Sequence, residues 1–366
     1  MRKLVILIAA LLVGVTMALA QANKSTINQY GKDNVAENQQ FGNANVADVY
    51  QNFNANTSMN YQSGVANELS SHQEGEYNNS YTTQYGESNK AATSQEGVYN
   101  YSNVMQQGQE NEAGINQIGS NNSSMVDQWG YQNKAGVGQE GEGNSSSIYQ
   151  GNWKNEAQVG QIGDGNFSDI VQMGDNNKAG ISQEGNYNMS FANQWGSGNE
   201  LLVNQLGDYN ISSAAQSGWV NKGEIIQNGN SNRSGLNQFG DHNGAKVEQY
   251  GNGNESYATQ INRYNQAKVY QEGETNKSTI HQDGSWLMGG FNNADVTQVG
   301  TSNNSDITQL GDMNLSKVAQ TGDSNDSWIY QEGMLNQADV LQEGAGHIST
   351  INQLGVGHNA KVVQKD

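Results

Sequence analysis

The sequence is built on an eleven-residue repeat that keeps its register along almost the whole chain. A Gln recurs every eleven residues from Gln29 to Gln282, and the count resumes at Gln298 and continues to Gln364. Of these 31 glutamines, 27 are followed two residues later by Gly, and Asn stands five residues after 27 of the 30 that can show it. A biased composition alone does not make residues recur at a fixed spacing, so the chain is first of all an array of repeats.

Within each copy, positions that recur alternate with positions that vary. The residues five, seven, nine and eleven positions after each Gln are an Asn, a small residue, an aliphatic residue and the next Gln. From Val104 to Val362 the aliphatic position is Val, Ile or Leu in 21 of 24 copies. A period of two is typical of a β-strand. The intervening polar residues, as in Gly163-Asp164-Gly165, predict a tight turn.

Two copies make one coil of the predicted fold, because the small inner position alternates in type. Ser58, Ser80 and Ser102 occupy every second copy, and Ala91 and Ala113 lie between them. We therefore predict an all-β fold, a cross-β solenoid of strand–turn–strand coils with 22 residues per coil, each made of two 11-residue half-repeats. About 15 such coils with strands ~4.8 Å apart would form a rod roughly 70 Å long.

An outward position tests this stacking through charge. The residue after the Asn, taken at steps of 22, alternates between acid and base. If the coils lie directly over one another, opposite charges on neighbouring strands stabilise the stack by a few tenths of a kcal/mol each. This predicted charge column consists of Glu68, Lys90, Glu112, Lys134, Glu156, Lys178, Glu200 and Lys222.

The composition is too polar for an ordinary globular core, with 34% hydrophobic residues and a mean hydropathy of -0.78. Composition alone also fits a disordered, prion-like Gln/Asn-rich segment, but disorder does not require a strict period. The chain has no Pro, which suits a continuous backbone ladder, and no Cys. Its net charge of -19 disfavours nucleic acid and anionic membranes as partners.

The first twenty residues have the pattern of a secretory signal peptide. Arg2 and Lys3 precede an apolar run, and Ala18-Leu19-Ala20 forms a small-x-small cleavage site. A transmembrane anchor is the alternative, but the apolar run is short and polar residues follow at once. Removal of residues 1–20 would leave the repeat solenoid, residues 21–366, and would shift the net charge from -19 to -21 because Arg2 and Lys3 are lost.

One interruption of the repeat lies near residues 285–291, where seven residues stand between Gly284 and Asn292 instead of two. This five-residue insertion is expected to enlarge one turn without shifting the register. Its apolar residues Trp286, Leu287 and Met288 suggest either a contact patch or a tolerated surface bulge, and solenoids commonly collect such bulges at turns.

Inward-facing Gln and Asn predict amide ladders, since each side-chain amide donates to and accepts from its copy in the next coil. The representative ladder positions are Gln128, Gly130, Asn133, Ala135, Gln139, Gln161, Gly163, Asn166, Ile170, Gln172, Gln183 and Asn188. The first and last strands of such a stack have unpaired edges that can template further strands. The predicted templating residues are Ile27, Gln29, Ile351, Gln353, Val362 and Gln364.

The repeat resembles the curlin repeat of the secreted subunits of curli, the amyloid fibres of bacterial biofilms. The residues that carry the resemblance are Ser124, Gln128, Gly130, Asn133, Ala135 and Gln139. The resemblance covers essentially the whole of residues 21–366. It implies a self-assembling, head-to-tail fibre on the surface of a bacterium with an outer membrane. It also implies an outer-membrane secretion pore, a nucleator and a periplasmic chaperone as partners. This chain has about three times as many repeats as the commoner family pattern and shows no separate Gly-rich leader.

Other functions fit the residues less well. The five histidines are scattered, His347 and His358 replace the repeat Asn, and no catalytic constellation or cofactor motif is present, so we do not expect an enzyme or a cofactor. A calcium-binding β-roll needs Asp at a fixed place in a nine-residue repeat, whereas the turn acids here change position. A monomeric adhesive or ice-binding solenoid needs a flat outer array, usually of Thr, whereas the outer positions here are mixed.

Overall fold

The computed structural model describes residues 22–285 and 290–366, so the predicted signal peptide and Trp286, Leu287 and Met288 of the insertion lie outside the described residues. The described chain forms 31 strands in two parallel sheets, which together make a β-solenoid of about 15 coils. Consecutive strands alternate between the sheets, so a strand pairs with the next-but-one strand along the chain.

The two sheets are named here by the parity of their strands. The odd sheet contains β1 Lys24–Gln29, β3 Val46–Asn52, β5 Glu68–Glu76, β7 Lys90–Val98, β9 Glu112–Ser120, β11 Lys134–Glu142, β13 Glu156–Ile162, β15 Lys178–Glu184, β17 Glu200–Leu206, β19 Lys222–Asn228, β21 Gly244–Asn252, β23 Gln266–Glu274, β25 Asn293–Thr301, β27 Leu315–Asp323, β29 Gln337–Ala345 and β31 Asn359–Lys365. The even sheet contains β2 Val35–Asn43, β4 Thr57–Val65, β6 Asn79–Glu87, β8 Tyr101–Gln109, β10 Ser123–Tyr131, β12 Ser145–Trp153, β14 Phe167–Asp175, β16 Met189–Ser197, β18 Ile211–Trp219, β20 Arg233–Asp241, β22 Glu255–Arg263, β24 Lys277–Asp283, β26 Asn304–Asp312, β28 Asp326–Met334 and β30 Ile348–Val356.

Register is conserved from coil to coil. Gln128 of β10 pairs with Gln150 of β12, which is 22 residues further on, and neighbouring pairs follow the same spacing. The insertion does not disturb this register, since Gln282 of β24 pairs with Gln309 of β26 although 27 residues separate them. The repeat period of the sequence is therefore the coil period of the structure, as predicted.

The core lies between the two sheets and is filled by alternate residues of every strand. Ile148 and Ile170 of the even sheet are fully buried, and Val159 of the odd sheet is 4% exposed. The small inner residue is Ser in the even sheet from β4 onward and mainly Ala in the odd sheet, so the alternation in the sequence distinguishes the two sheets. Small residues on both faces let the sheets approach closely.

The first coils have a polar interior where the sequence lacks aliphatic residues. Ser58 Oγ donates to Ser71 Oγ at 3.1 Å, and the hydroxyls of Ser80 and Thr93 are 2.8 Å apart, in both cases between facing sheets. Asn60 Nδ2 also donates to Ser58 Oγ at 2.9 Å. These bonds satisfy polar groups that are almost completely buried, so the solenoid continues through these copies despite their weak apolar pattern.

The stem of the inserted loop is fixed on one carboxylate. Asp312, which is 4% exposed, accepts hydrogen bonds from the backbone N–H of Ser285 at 2.9 Å and of Gly290 at 3.0 Å. Its other oxygen accepts from Ser285 Oγ at 2.6 Å. Asp312 lies in β26, one coil further along the stack, and it holds both ends of the insertion together. This explains why the register does not change at the insertion.

Candidate functional site: the side-chain ladders

A column of buried glutamines runs along the axis within each sheet. Gln128 Nε2 donates to Gln150 Oε1 at 2.8 Å, and Gln150 Nε2 donates to Gln172 Oε1 at 2.8 Å. All three side chains are fully buried. Because each amide is both donor and acceptor, the column satisfies polar groups whose burial would otherwise be costly.

From Gln40 onward, the second Nε2–H of each repeat Gln donates to a backbone carbonyl of the opposite sheet. Gln128 Nε2 also donates to the carbonyl of Glu112 in β9 at 2.9 Å, and Gln161 Nε2 donates to the carbonyl of Ser145 in β12 at 3.1 Å. The glutamines therefore join the two sheets as well as successive coils. Sequence periodicity identifies only the stacking partner, so it does not reveal this bond to a backbone carbonyl.

The asparagines form a separate ladder at the turns. Asn166 is fully buried, and its Oδ1 accepts a hydrogen bond from the backbone N–H of Asn188 in the next coil at 3.0 Å. Its Nδ2 donates to the carbonyl of Gly185 at 2.7 Å and to that of Ile162 at 3.4 Å. One side chain thus closes its own turn and binds the turn of the next coil.

The glycine after each Gln permits the turns to lie against one another. Gly163 has a φ of +109°, a conformation that residues with a Cβ rarely adopt. A Cβ built on it would lie 2.2 Å from the carbonyl oxygen of Gly185 in the next coil. Gly130 is equivalent, with a φ of +112° and 2.2 Å to the carbonyl oxygen of Asn152. Stacking of the turns thus requires glycine at most of these positions.

The predicted ladder residues lie in four parallel columns and in the core. Gln139, Gln161 and Gln183 are consecutive in the odd sheet, with 2.8 Å between each donor and acceptor. Gln128 and Gln172 belong to the even sheet and are joined through Gln150. Asn166 and Asn188 are neighbours in the turns that lead from odd to even strands, and Asn133 lies in a turn that leads from an even to an odd strand. Ala135 and Ile170 are buried in the core.

The predicted end strands differ in exposure. Ile27 on β1 is 41% exposed, whereas the equivalent Val49 of β3 is fully buried. At the other end, Ile351 and Gln353 of β30 are each 5% exposed, because β31 lies opposite. Val362 is partly buried. Gln40 of β2 is a further end residue, which the sequence pattern did not single out. It begins the glutamine column of the even sheet by donating to Gln62 Oε1 at 2.8 Å.

The residues of the charge column stand in register on neighbouring strands, with each Lys ion-paired to the Glu of the preceding coil. Lys90 pairs in register with both Glu68 and Glu112, but its Nζ lies 3.4 Å from Glu68. The other N–O distances are 3.7 Å for Lys134–Glu112, 3.5 Å for Lys178–Glu156 and 3.3 Å for Lys222–Glu200. These side chains are largely exposed, so each pair contributes little to stability by itself.

Three aspartates on the outward face of the even sheet have raised pKa values because neighbouring side chains partly bury them. They are Asp127, Asp169 and Asp306. Hydrogen bonds from Trp129 and Ser147 lower the pKa of Asp127 and Asp169, and the charge of His281 lowers that of Asp306, but burial has the larger effect. All three acids are therefore easier to protonate in the folded chain.

The described residues offer no assembled metal site, since no group of three or more His, Asp or Glu side chains is placed to hold an ion. No helix long and apolar enough to cross a membrane occurs in residues 22–285 and 290–366.

Comparison with known families gives eight matches to the model described as curlin associated repeat. The matched segments together cover more than half of the chain and are residues 100–130, 119–151, 154–185, 163–196, 174–207, 221–251, 292–322 and 322–355. No curated protein matches the chain. The matched segments contain many of the Gln, Gly and Asn positions that form the ladders. Because the family model matches more than half of the chain, the chain belongs to the family of curlin associated repeat proteins.

Proposed function

We propose that this chain is a secreted structural subunit that polymerises head-to-tail into a curli-type amyloid fibre of a biofilm matrix, where the fibre serves adhesion and cell aggregation. Polymerisation proceeds by edge templating, in which the terminal strands of one copy pair with the terminal strands of the next. The fibre grows by the same parallel, in-register pairing that joins coils within a copy.

The observation that supports this proposal most directly is the uniformity of the contacts between coils. Gln95 bonds to Gln117 at 2.9 Å, Gln216 bonds to Gln238 at 2.7 Å, and the same Nε2–Oε1 bond links coils in both sheets. A junction between two copies can therefore use the bonds that already hold each copy together. In-register parallel stacking with amide ladders is the arrangement that gives cross-β fibres their stability.

The ladders also give the stack a direction. Each Gln donates toward the C-terminal end, so at β30 and β31 the amides of Gln353 and Gln364 accept from the preceding coil and donate to backbone carbonyls. Their remaining Nε2–H groups point along the axis as ladder donors. At the N-terminal end, Gln29 and Gln40 donate into the stack and carry the matching Oε1 acceptors. Complementary ends favour head-to-tail addition.

The proposal includes export and assembly partners of the kind that curli-type subunits use. A curli-type subunit crosses the periplasm unfolded with a chaperone, leaves through an outer-membrane secretion pore and meets a nucleator at the cell surface. The signal-like residues 1–20 and the high negative charge suit this route, since like charges keep an unassembled chain soluble. We place the fibre outside the cell, on the surface of a bacterium with an outer membrane.

The test is seeded polymerisation of residues 21–366. The chain is purified in denaturant, diluted into buffer and followed by thioflavin T with and without sonicated seeds of the same protein. We expect a lag phase that seeds remove, and fibres with a ~4.8 Å meridional reflection. A soluble monomer with a β-type circular dichroism spectrum and no growth would reject the proposal and favour a monomeric adhesive solenoid.

A further inference from the structure

The two edges of the solenoid, where the chain passes between sheets, differ in chemistry. We name the edge at which even strands end and lead into odd strands, such as residues 129–133 at the end of β10 and before β11, the aromatic edge. We name the edge at which odd strands end and lead into even strands, such as residues 118–122 at the end of β9 and before β10, the acidic edge. The buried Gln and Asn ladders do not use the outward side chains of either edge, although Asp164, Asn186 and Asp208 of the acidic edge accept backbone N–H bonds from the preceding coil.

Most of the exposed tryptophans lie on one edge. Of the five tryptophans in the described residues, Trp328 lies on the outer face of β28, and the other four lie on the aromatic edge. These four are 41–63% exposed, although large aromatic side chains usually bury most of their surface. They are Trp129, Trp153, Trp195 and Trp219.

Rings and apolar side chains on this edge continue from coil to coil. Tyr131 and Trp153 meet edge to face with ring centroids 5.9 Å apart. Tyr264 stacks on His242 at 5.0 Å and on Phe291 at 4.7 Å. The column continues with Met313 and Leu335, which are 44% and 53% exposed. The edge thus carries an apolar strip parallel to the fibre axis, and exposed apolar patches of this kind mark interaction surfaces.

The acidic edge is rich in carboxylates and has no exposed Trp among the described residues, although it also carries the stacked, exposed pairs Tyr77–Tyr99 and Tyr187–Tyr209. Glu74 and Glu96 stand in register on neighbouring strands of this edge, so like charges are one strand apart. Between β3 and β30 it carries no Lys or Arg at the turn positions, whereas the aromatic edge has Lys154 and Arg263, the latter 3.0 Å from Asp241. The acids of this edge include Glu74, Glu76, Glu96, Glu140, Glu142, Asp164, Glu184, Asp208, Glu272, Glu274, Asp323 and Glu343.

We propose that the aromatic edge is a lateral docking surface for a second copy of this chain in a neighbouring fibre, with aromatic edge packed against aromatic edge. This proposal rests on the proposed function, because it requires fibres. Two copies that met through their acidic edges would bring carboxylates together, and such contacts are strongly unfavourable. Contact through the aromatic edge buries indole and phenol rings and keeps the acidic edges apart. One surface used by both partners is the usual arrangement in paired identical subunits.

The area of the apolar strip indicates whether two single copies or only two whole fibres can associate stably through it. Eight coils between Trp129 and Phe291 span roughly 40 Å, and a strip about 10 Å wide gives ~400 Å² per copy. Stable complexes bury ~800 Å² per partner. One pair of copies is therefore expected to associate weakly, whereas two fibres repeat the contact along their length and bind by avidity. Lateral bundling should follow elongation and should increase with salt, because each copy of residues 21–366 has a net charge of -21 that salt screens.

The test compares fibres of three chains. The first is the wild type, and the second carries W129S, W153S, W195S and W219S. The third, the matched control, carries I118S, I162S and L206S, which remove exposed apolar residues from the acidic edge. Seeded elongation is followed by thioflavin T, and bundling is followed by fibre width in electron micrographs and by the mass pelleted at low speed in 10, 150 and 500 mM NaCl.

We expect all three chains to elongate at similar rates, and the wild type and control to bundle increasingly as salt is raised. The tryptophan variant should form single fibres and lose the pelleted fraction. Equal bundling by all three chains, or equal loss in the variant and the control, would overturn the docking surface while leaving fibre formation intact. Wild-type fibres that bundle only after a neutral glucan is added would assign the strip to carbohydrate instead. Failure of every chain to elongate would reject the proposed function itself.

Discussion

Gln161 donates from Nε2 to Oε1 of Gln183 at 2.8 Å, and both side chains are 1% exposed. Gln161 also accepts from Gln139 and donates to the carbonyl of Ser145. A single side chain thus satisfies two amides and one backbone group in a dry interior. The same arrangement in coil after coil makes the glutamines the connection between one coil and the next.

Substitution of Gln161 by Leu should be strongly destabilising. Leucine cannot accept from Gln139 or donate to Gln183 and Ser145. Each buried polar group left without a hydrogen bond lowers the free energy of unfolding by about 1–3 kcal/mol. The measurement is the urea midpoint at which the mature chain loses its β-type circular dichroism. The control is Gln158→Leu, an exposed position in the same strand β13, which should change the midpoint little. Equal midpoints would show that the amide ladder does not hold the coils.

Gly163 and Gly160 provide a second matched pair in the same repeat. Alanine at Gly163 would require a φ near +109° and would place its Cβ 2.2 Å from the carbonyl of Gly185. Alanine at Gly160 meets nothing within 4 Å. We expect Gly163→Ala to lower stability by about 1–3 kcal/mol, as strained backbone positions do, and Gly160→Ala to be neutral or stabilising. The urea midpoint again measures both, and a costly Gly160→Ala would contradict the assignment of strain to the turn.

The period, the sheets and the ladder positions can be predicted from the sequence because stacking repeats them in every coil. Features that depend on the direction in which a side chain points cannot be predicted from the repeat pattern. The alternation of Glu68, Lys90 and Glu112 predicts a charged column. Which of the two glutamates is ion-paired to Lys90 depends on the rotamer of the Lys90 side chain, and the partner is Glu68. The bond between Ser58 and Ser71 crosses the sheets, so it depends on how the two sheets face each other. The two edges differ in chemistry only after consecutive turns are assigned to opposite sides.

Lys178 tests the charge column. It stands in register between Glu156 and Glu200 and is 3.5 Å from Glu156. Lys178→Glu would place three acids on consecutive strands and should lower stability by a few tenths of a kcal/mol or more, since like charges directly opposite are destabilising. The loss should be largest in 10 mM NaCl and small in 1 M NaCl, where the Debye length is ~3 Å. A loss that is independent of salt would point to packing instead of charge.

Acidification should stabilise the solenoid through Asp127, Asp169 and Asp306. Burial raises the pKa of each acid above the ordinary value of 3.8. The folded chain therefore binds these protons more readily than the unfolded chain, and stability falls as the pH rises through the raised pKa values. Between pH 6 and pH 4 we expect the urea midpoint to rise. The rise should be smaller in the triple variant D127N, D169N and D306N, and identical slopes would rule out a contribution from these acids.

Edge templating is tested at the last strand of the even sheet. Ile351 faces the core and is 5% exposed, whereas Thr350 in the same strand faces solvent. Ile351→Glu places a charge where the next inner column would continue, so it should slow seeded elongation at least tenfold. Thr350→Glu adds the same charge on the outer surface and should leave the rate within about twofold, as surface substitutions usually cost under ~0.5 kcal/mol. Equal slowing at both positions would show that charge alone controls addition. Because Ile351→Glu can also weaken the last coil of the solenoid, its circular dichroism and urea midpoint are measured in parallel, and templating is supported where elongation slows while the interior coils keep their wild-type midpoint.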